Sequence, residues 1–437
     1  MGARETALRV LIACRKEGAW SNSVLKQYLH HDGLDRREAA LATRLCYGVL
    51  QNRLKLDFYL QQLLTGKLKD LHPVVRDILH IGLYQLYLSD KIPASAAVNE
   101  SVALAKKYCK NNRSAAGLVN GVLRNADRQR DSILQPKSWQ EQYSHPQALI
   151  DLLIADLGKK RVGAMLEANN SAPQTVVQVN TLRTDMQTLT EILATEGVGA
   201  QPHPWMGNCL ILSGTGNLEG LDSFSKGLYY VQDPAAKLSV LCAQIPPNAN
   251  VLDCCSAPGG KSFAAAMVLG GSGRITACDI YAHKVPLIAK GASRLGIENL
   301  TACVQDASQF SPQWEKQMDV VLADVPCSGY GIIRKKPDIR YKDPKTMEQL
   351  PALQLAILSN QARYVKPGGT LLYSTCTLLK RENEAVVVAF LKENSDFAVE
   401  KLTLPAVFAE NTTGMLTLVT GEMETDGFFI CRLRRKL

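Results

Sequence analysis

Asn250-Val251-Leu252-Asp253-Cys254-Cys255-Ser256-Ala257-Pro258-Gly259-Gly260-Lys261-Ser262 is the stretch on which the fold turns. A short apolar run stops at an aspartate, passes through small residues and two glycines, then continues into a segment rich in Ala and Leu. That order predicts a strand, a ligand loop and a helix of an open α/β sheet. Glycines there let the backbone approach a ligand, and the unpaired N–H groups of a helix start face it.

Three ligands compete for such a loop. A P-loop requires Gly five positions before Gly260, where Cys255 stands, so the Walker pattern fails despite Gly260-Lys261-Ser262. A dinucleotide fingerprint requires G-x-G-x-x-G, and only the pair Gly259-Gly260 is present. The third is S-adenosylmethionine, with Gly-rich backbone around its amino-acid part. On this stretch alone an ordinary strand–turn–helix also stays open, since a lone glycine pair is a weak signal.

Working outward, 437 residues suffice for two to four domains with real cores. No run of 18 apolar residues occurs, so no membrane span is expected, and Met1 to Thr6 lack an apolar signal core. Twelve cysteines form no C-x-x-C pair and seven histidines no H-E-x-x-H, so neither a metal site nor a disulfide framework is expected. The expected compartment is the cytoplasm. Residues 1–130 hold 21 Lys/Arg against 11 Asp/Glu, an excess of ten positive charges, whereas the remainder holds 29 against 30. The whole basic excess lies at one end, which fits either a polyanionic partner or a solvated basic face.

Residues 1–130 have helical periodicity throughout, as in Leu41, Leu45, Val49 and in Val75, Ile78, Leu79, Leu83, Leu86, with a first helix ending near Gly18. Basic residues such as Arg36, Arg44, Lys106, Lys110, Arg113 and Arg124 lie near predicted turns, within reach of phosphates. A polar stretch, 131–144, is the expected linker. Residues 145–235 alternate helix (146–169, 185–196) and strand (175–179, 209–212) in a small α+β unit. From 236 the alternation lengthens, with strands at 250–253, 274–279, 300–304, 319–324 and 370–375 and a last one near 427–433. That order predicts a mostly parallel, doubly wound sheet.

Ligands of such a sheet bind beyond the carboxyl ends of the strands. Asp253, Asp279, Asp306 and Asp324 all fall at or just past strand ends. Asp279 follows Gly260 at the distance where an acid meets ribose hydroxyls, and Asp306 beside it suits an adenine edge. One such Asp is often a turn former, but four around a Gly-rich loop point to a nucleoside cofactor. Two further strand ends carry thiols: Asp324-Val325-Pro326-Cys327-Ser328-Gly329 and Ser374-Thr375-Cys376-Thr377. Consecutive strands usually neighbour one another, so both sulfurs are expected in one crevice.

A thiol beside a methyl donor suits pyrimidine chemistry. C5 of a pyrimidine is too weak a nucleophile to take a sulfonium methyl until a thiolate adds at C6 and pushes electron density onto C5. Such a thiolate needs cationic or N–H neighbours, and an acid on the N3/N4 edge of the base offsets developing charge; Asp324 is placed for that task. Residue types alone do not say which thiol attacks.

These motifs together resemble those of the RNA (cytosine-5)-methyltransferases, a family that includes the bacterial small-subunit rRNA methyltransferases. The match covers the whole catalytic half. Ala96-Ala97-Val98-Asn99-Glu100-Ser101-Val102 and Gly117 to Arg124 resemble the NusB-like RNA-binding helical domain. The resemblance implies a Rossmann-like S-adenosylmethionine methyltransferase domain (236–437), preceded by an all-α NusB-like domain (1–130) and the small α+β domain (145–235). It implies as substrate a cytosine of 16S rRNA, free or in a partly assembled small-subunit particle, modified by a monomer that uses no metal or membrane. Carried over by motif, Cys376 matches the nucleophile and Cys327 the residue that helps resolve the adduct. Cys254, Cys255, Ser256, Ala257, Pro258, Gly259 and Gly260 match the cofactor loop, with Asp279, Asp306 and Asp324 as further pocket positions. Lys261 receives no role.

The segment Gly329 to Tyr341, basic with nearby aromatics, is expected to be a flexible loop that meets RNA backbone and bases. Two other readings stay open: the same chemistry on tRNA or another RNA, and a non-catalytic RNA-binding assembly factor.

Overall fold

The computed structural model describes residues 2–17, 21–89, 92–110, 112, 114–408, 411 and 413–437; Gly18 and Arg113 lie outside them. The chain divides into two units, one of residues 1–155 with 335–342, the other of 156–334 with 343–437.

The first unit is helical: α1 (Ala3–Glu17), α2 (Ser21–Asp32), α3 (Arg36–Leu63), α4 (Pro73–Tyr87), α5 (Ala94–Tyr108), α6 (Ala115–Arg128), a short α7 (Trp139–Gln142) and α8 (Gln147–Leu157). Asp35 caps α3 by accepting from the N–H groups of Arg37 and Glu38, and Pro73 opens α4, where its missing N–H costs nothing. Val75, Ile78, Leu79, Leu83 and Leu86, one stripe at helical spacing, are all buried. The stretch 131–144, expected as a linker, is held to α3: Tyr59 Oη donates to Gln135 Oε1 at 2.7 Å, and Leu134 N donates to Gln62 Oε1 at 3.1 Å.

α3 leaves helical geometry at Asn52, and the Leu54 N–H turns to Ser144 Oγ at 2.8 Å. The carbonyls freed near this kink find donors in the distant segment 335–342. Tyr341 Oη donates to Leu50 O at 2.8 Å and Arg340 Nη1 to Gln51 O at 2.9 Å. Buried carbonyls need such partners, which is why a piece of later chain belongs to this unit.

The second unit opens with α9 (Lys159–Ala168), separated from α8 by Gly158, whose φ of +81° ends the single helix expected over 146–169. Its small sheet contains β1 (Thr175–Val179), β2 (Gly199–Pro202), β3 (Cys209–Ser213) and β4 (Tyr229–Val231) in the order β2-β3-β1-β4, antiparallel throughout. Helices α10 (Met186–Thr195) and α11 (Asp222–Ser225) accompany it, and α12 (Pro234–Cys242) follows. The larger sheet has β5 (Asn250–Asp253), β6 (Arg274–Asp279), β7 (Leu300–Val304), β8 (Met318–Asp324), β9 (Val365–Thr375), β10 (Phe397–Val399), β11 (Met415–Leu418) and β12 (Phe428–Arg435). Its order is β10-β12-β9-β8-β5-β6-β7, with β11 on β12. The strands β5 to β9 pair in parallel, and β12 runs antiparallel to β9. Helices α13 (Gly260–Leu269), α14 (Val285–Leu295), α15 (Leu350–Ala362) and α16 (Glu384–Glu393) alternate with these strands. The sheet is the doubly wound, mostly parallel one expected, and its chain order reverses between β5 and β8. Ligands of such sheets bind at that reversal, beyond the carboxyl ends.

At the end of β5, Asp253 is fully buried; Ser262 Oγ on α13 donates to its Oδ2 at 2.7 Å and lies 2.8 Å from Ser256 Oγ. Burial pushes the Asp253 carboxyl up to about 6. The folded chain therefore keeps this proton over a range where the unfolded chain, with a carboxyl near 3.8, has lost it. Stability should fall as pH rises from about 4 to about 6, by about 3 kcal/mol in all. Asp253→Asn keeps an acceptor for Ser262 and removes the titration. In urea melts of the cofactor-free chain, wild type should lose stability relative to the variant across that window. A difference independent of pH would contradict the assignment.

Candidate active site

The loop between β5 and α13 is fixed from both sides. Cys254 N donates to Leu322 O at 3.1 Å, Ser256 N to Cys278 O at 2.7 Å, and Gly259 N to Ser256 O at 2.7 Å. Gly259 has φ +112°, and a Cβ there would lie 2.4 Å from Phe263 Cζ, so only glycine fits. No side chain caps α13, leaving its first N–H groups to the loop. The Cys254 side chain turns into the core and Ser256 is nearly buried, whereas Cys255, Ala257, Pro258 and Gly260 keep some exposure.

The expected acids come together at neighbouring strand ends. Asp279 ends β6, and its Oδ1 accepts from Tyr281 N at 2.9 Å; Asp306 lies just past β7, its Oδ1 taken by Ser308 N and Oγ at 2.9 and 2.7 Å. Gln305 N donates to Asp279 O at 3.2 Å, joining the two ends. The second oxygen of each acid has no hydrogen bond within the described chain. Ile280, directly after Asp279, is exposed, an apolar face for a planar ligand that the sequence reading did not single out.

Asp324 ends β8 and is held through both oxygens. Lys261 Nζ approaches Oδ2 at 2.6 Å and Ser374 Oγ donates to Oδ1 at 2.9 Å. Burial by itself would lower the pKa of the Lys261 ammonium, but Asp324 more than offsets it and the pKa is raised, with a smaller contribution from Cys376. Lys261, left without a role by sequence, is therefore the cation of the site.

β8 and β9 are parallel neighbours with Asp324 opposite Ser374, which brings Cys327 and Cys376 together. Their sulfurs are 3.3 Å apart and both residues keep partial exposure. The hydrogen bond with Cys376 pushes the Cys327 thiol well above its ordinary range, and burial adds to this. The two loops are clamped by Ser328 Oγ with Thr377 Oγ1 at 2.6 Å and by Gly331 N donating to Cys376 O at 2.9 Å. Glu382, fully buried, accepts from Ser328 N at 2.9 Å and Gln354 Nε2 at 3.0 Å. The sequence reading missed this support, whose one signal was a Glu-Asn-Glu run shortly after Cys376.

The segment Gly329 to Tyr341 differs from the flexible RNA-binding loop expected. Gly331 O accepts from Gly427 N at 2.8 Å, Arg334 lies 3.7 Å from Asp426, and Arg340 is fully buried. Backbone carbonyls and an acid occupy these groups, so they are structural. Among the described residues no group of three or more His, Cys, Asp or Glu could hold a metal ion, and no helix is long and apolar enough to cross a membrane.

Comparison with known proteins agrees with this geometry. Residues 241–434 match the family described as 16S rRNA methyltransferase RsmB/F, residues 1–128 the NusB family, and residues 145–219 the RsmF/B-like ferredoxin-like domain. The chain is 35% identical to the probable ribosomal RNA small subunit methyltransferase B of Bacillus subtilis, over 99% of this chain and 98% of that protein. It is 32% identical to the ribosomal RNA small subunit methyltransferase B of Pseudomonas putida, over 99% and 98%. In fold it resembles PH0851, with a TM-score of 0.82 at 23% identity over 98% of both chains. It also resembles NSun6 from Pyrococcus horikoshii solved with SFG, with a TM-score of 0.59 at 20% identity over 66% of this chain and 98% of that one. Sheet, helical domain and full-length identity converge, and the chain belongs to the ribosomal RNA small subunit methyltransferase B family, S-adenosylmethionine-dependent enzymes that methylate rRNA.

Proposed function

We propose that the protein methylates C5 of a cytosine in 16S rRNA through a covalent bond between Cys376 and C6. The observation that carries this reading is the pair of sulfurs 3.3 Å apart at the ends of two neighbouring strands, beside the Lys261–Asp324 ion pair. In this reading residues 1–130 bind RNA, 145–235 bridge, and 236–437 catalyse. The enzyme acts as a cytoplasmic monomer on free RNA or a partly assembled small-subunit particle.

S-adenosylmethionine supplies an electrophilic sulfonium methyl. The backbone of Cys254 to Gly260 would hold it, with Asp279 on ribose hydroxyls and Asp306 on the adenine edge. Three features fit that ligand: the glycine-only turn at Gly259, the buried and unpartnered Asp253 Oδ1, and the unoccupied second oxygens of Asp279 and Asp306.

The Cys376 thiolate adds to C6 of an extruded cytosine, and the electron pair of the C5–C6 double bond moves to C5. Lys261 favours the thiolate electrostatically, and Asp324 accepts from the N3/N4 edge of the base. C5 then carries both a methyl group and a proton. Loss of that proton re-forms the double bond as the C6–S bond breaks, returning Cys376 as thiolate. Cys327 acts in this release step. Once Cys376 is bonded to carbon, the neighbouring Cys327 gives its own proton to solvent and, as thiolate, takes the proton from C5.

Two variants test the assignment. Cys376→Ala should reduce methyl transfer to 16S rRNA by roughly 10³-fold or more while equilibrium dialysis still detects cofactor binding; unimpaired turnover would remove Cys376 from the chemistry. With Cys327→Ala, denaturing gels should reveal an accumulated RNA–protein adduct. The absence of that band, with turnover retained, would end its role in release.

A further inference from the structure

The helical unit contains a cavity of about 500 Å³ that plays no part in the chemistry above. It lies among α1, α3 and α4, and Asp338, Tyr341 and Lys342 of the inserted segment form one side. Its lining includes the apolar side chains of Leu11, Val49, Leu50, Leu68 and Leu71. The lining also includes Arg15, Arg53, Lys69, Arg76 and Lys342, against two lining carboxylates, Asp77 and Asp338.

Partnering divides these cations. Arg15 pairs with Asp77 at 2.9 Å, and Arg76 Nε donates to Asp57 at 2.9 Å, an acid that also holds His80 Nε2 at 2.7 Å. Those charges serve the fold. Arg53 and Lys69, by contrast, meet no carboxylate among the described residues. The Arg53 guanidinium, which lines the cavity, lies over the Tyr341 ring at 3.7 Å from its centroid. Tyr341 is itself fixed by Leu50 O, so the stack is preorganised. An apolar lining for a ring, a stacked guanidinium plane and lining cations match an unstacked base with a flanking phosphate. An acidic peptide would use the cations and leave the apolar lining without a planar partner.

We propose that this cavity seats one nucleotide of the rRNA substrate, its base between the apolar lining and Arg53, and a flanking phosphate on Lys69. The inference rests on rRNA being the substrate, and it adds a second contact point, on the helical unit, to the target base at Cys376.

The test uses the full chain with in-vitro-transcribed 16S rRNA, comparing wild type, Arg53→Ala and Lys69→Glu in filter binding from 50 to 200 mM salt. Each variant should weaken binding by about tenfold and flatten the slope of log K against log salt by about 0.7 to 0.9. Thermal melts and cofactor dialysis should stay at wild-type values, which a folding defect would not allow. Photocrosslinking of 4-thiouridine-substituted RNA to unaltered protein should label peptides containing residues 49–53 or 338–342, independently of any variant. Unchanged affinity and slope in both variants, with wild-type binding and methylation intact, would overturn the seat and leave rRNA methylation standing. Competition by polyglutamate, together with crosslinks confined to other segments, would overturn it in favour of a protein partner. A wild-type chain that binds and methylates no 16S rRNA would remove the reading beneath it.

Discussion

The ion pair between Lys261 and Asp324 is the constraint on which the rest of the active site depends. Lys261 stands in the first turn of α13, Asp324 ends β8 and Ser374, its second partner, lies in β9. One carboxylate thus ties together the cofactor loop and both thiol strands at the point where the chain order of the sheet reverses. Withdrawing two charges from water costs several kcal/mol, which only close contact and further hydrogen bonds offset. The 2.6 Å separation and the Ser374 hydroxyl meet that condition. Removing either charge would leave the other half-buried and unmatched, a loss of about 3–5 kcal/mol in comparable pairs. The same ammonium is also coupled electrostatically to Cys376, so stability and the thiol site share this group.

Around this pair the thiol loops have no freedom to drift. A Cβ on Gly331 would lie 2.0 Å from Gly427 O, so the backbones of the Cys327 loop and the β12 approach touch directly. That contact aims Gly331 N at the Cys376 carbonyl. Glu382 pins the other side through Ser328 N and Gln354, and its own carbonyl accepts from Tyr373 Oη at 2.6 Å. Buried polar groups of this kind are costly unless satisfied. Their concentration behind two sulfurs holds the geometry of both thiol loops.

The parts legible in the sequence are those with a local cause. β5, β6, β8 and β9 are mostly buried, so they stand out as apolar runs, and their Asp or Thr-Cys ends mark the ligand side of a parallel sheet. The loop glycines, the four strand-end acids and the two thiols were visible for the same reason. What escaped depends on distant chain. β2, β10 and β11 are three or four residues long and become strands only by pairing with β3 and β12. Lys261 acquires a role only through Asp324, 63 residues away, and Glu382 only through Ser328. The basic segment after Cys327 has the composition of a flexible loop, yet its Arg334 and Arg340 are held by an acid and by backbone carbonyls. Nothing local signals that Arg340 and Tyr341 answer carbonyls freed by a kink at Asn52.

That last pairing changes how the N-terminal charge excess is to be understood. Several of its cations are matched within the helical unit: Arg9 with Asp32, Arg15 with Asp77, Arg76 with Asp57 and Lys107 with Glu5. A count over residues 1–130 therefore overstates what a polyanion meets. It also omits Arg340, which burial lowers to about 10 and which serves backbone carbonyls of Gln51, Tyr143 and Ser144. Without this arginine and Tyr341, the carbonyls of Gln51 and Leu50 would lose these donors. The helical unit is complete only when the chain between Cys327 and Cys376 is present. The segment that separates the two thiols in sequence is thus also a structural part of the helical unit.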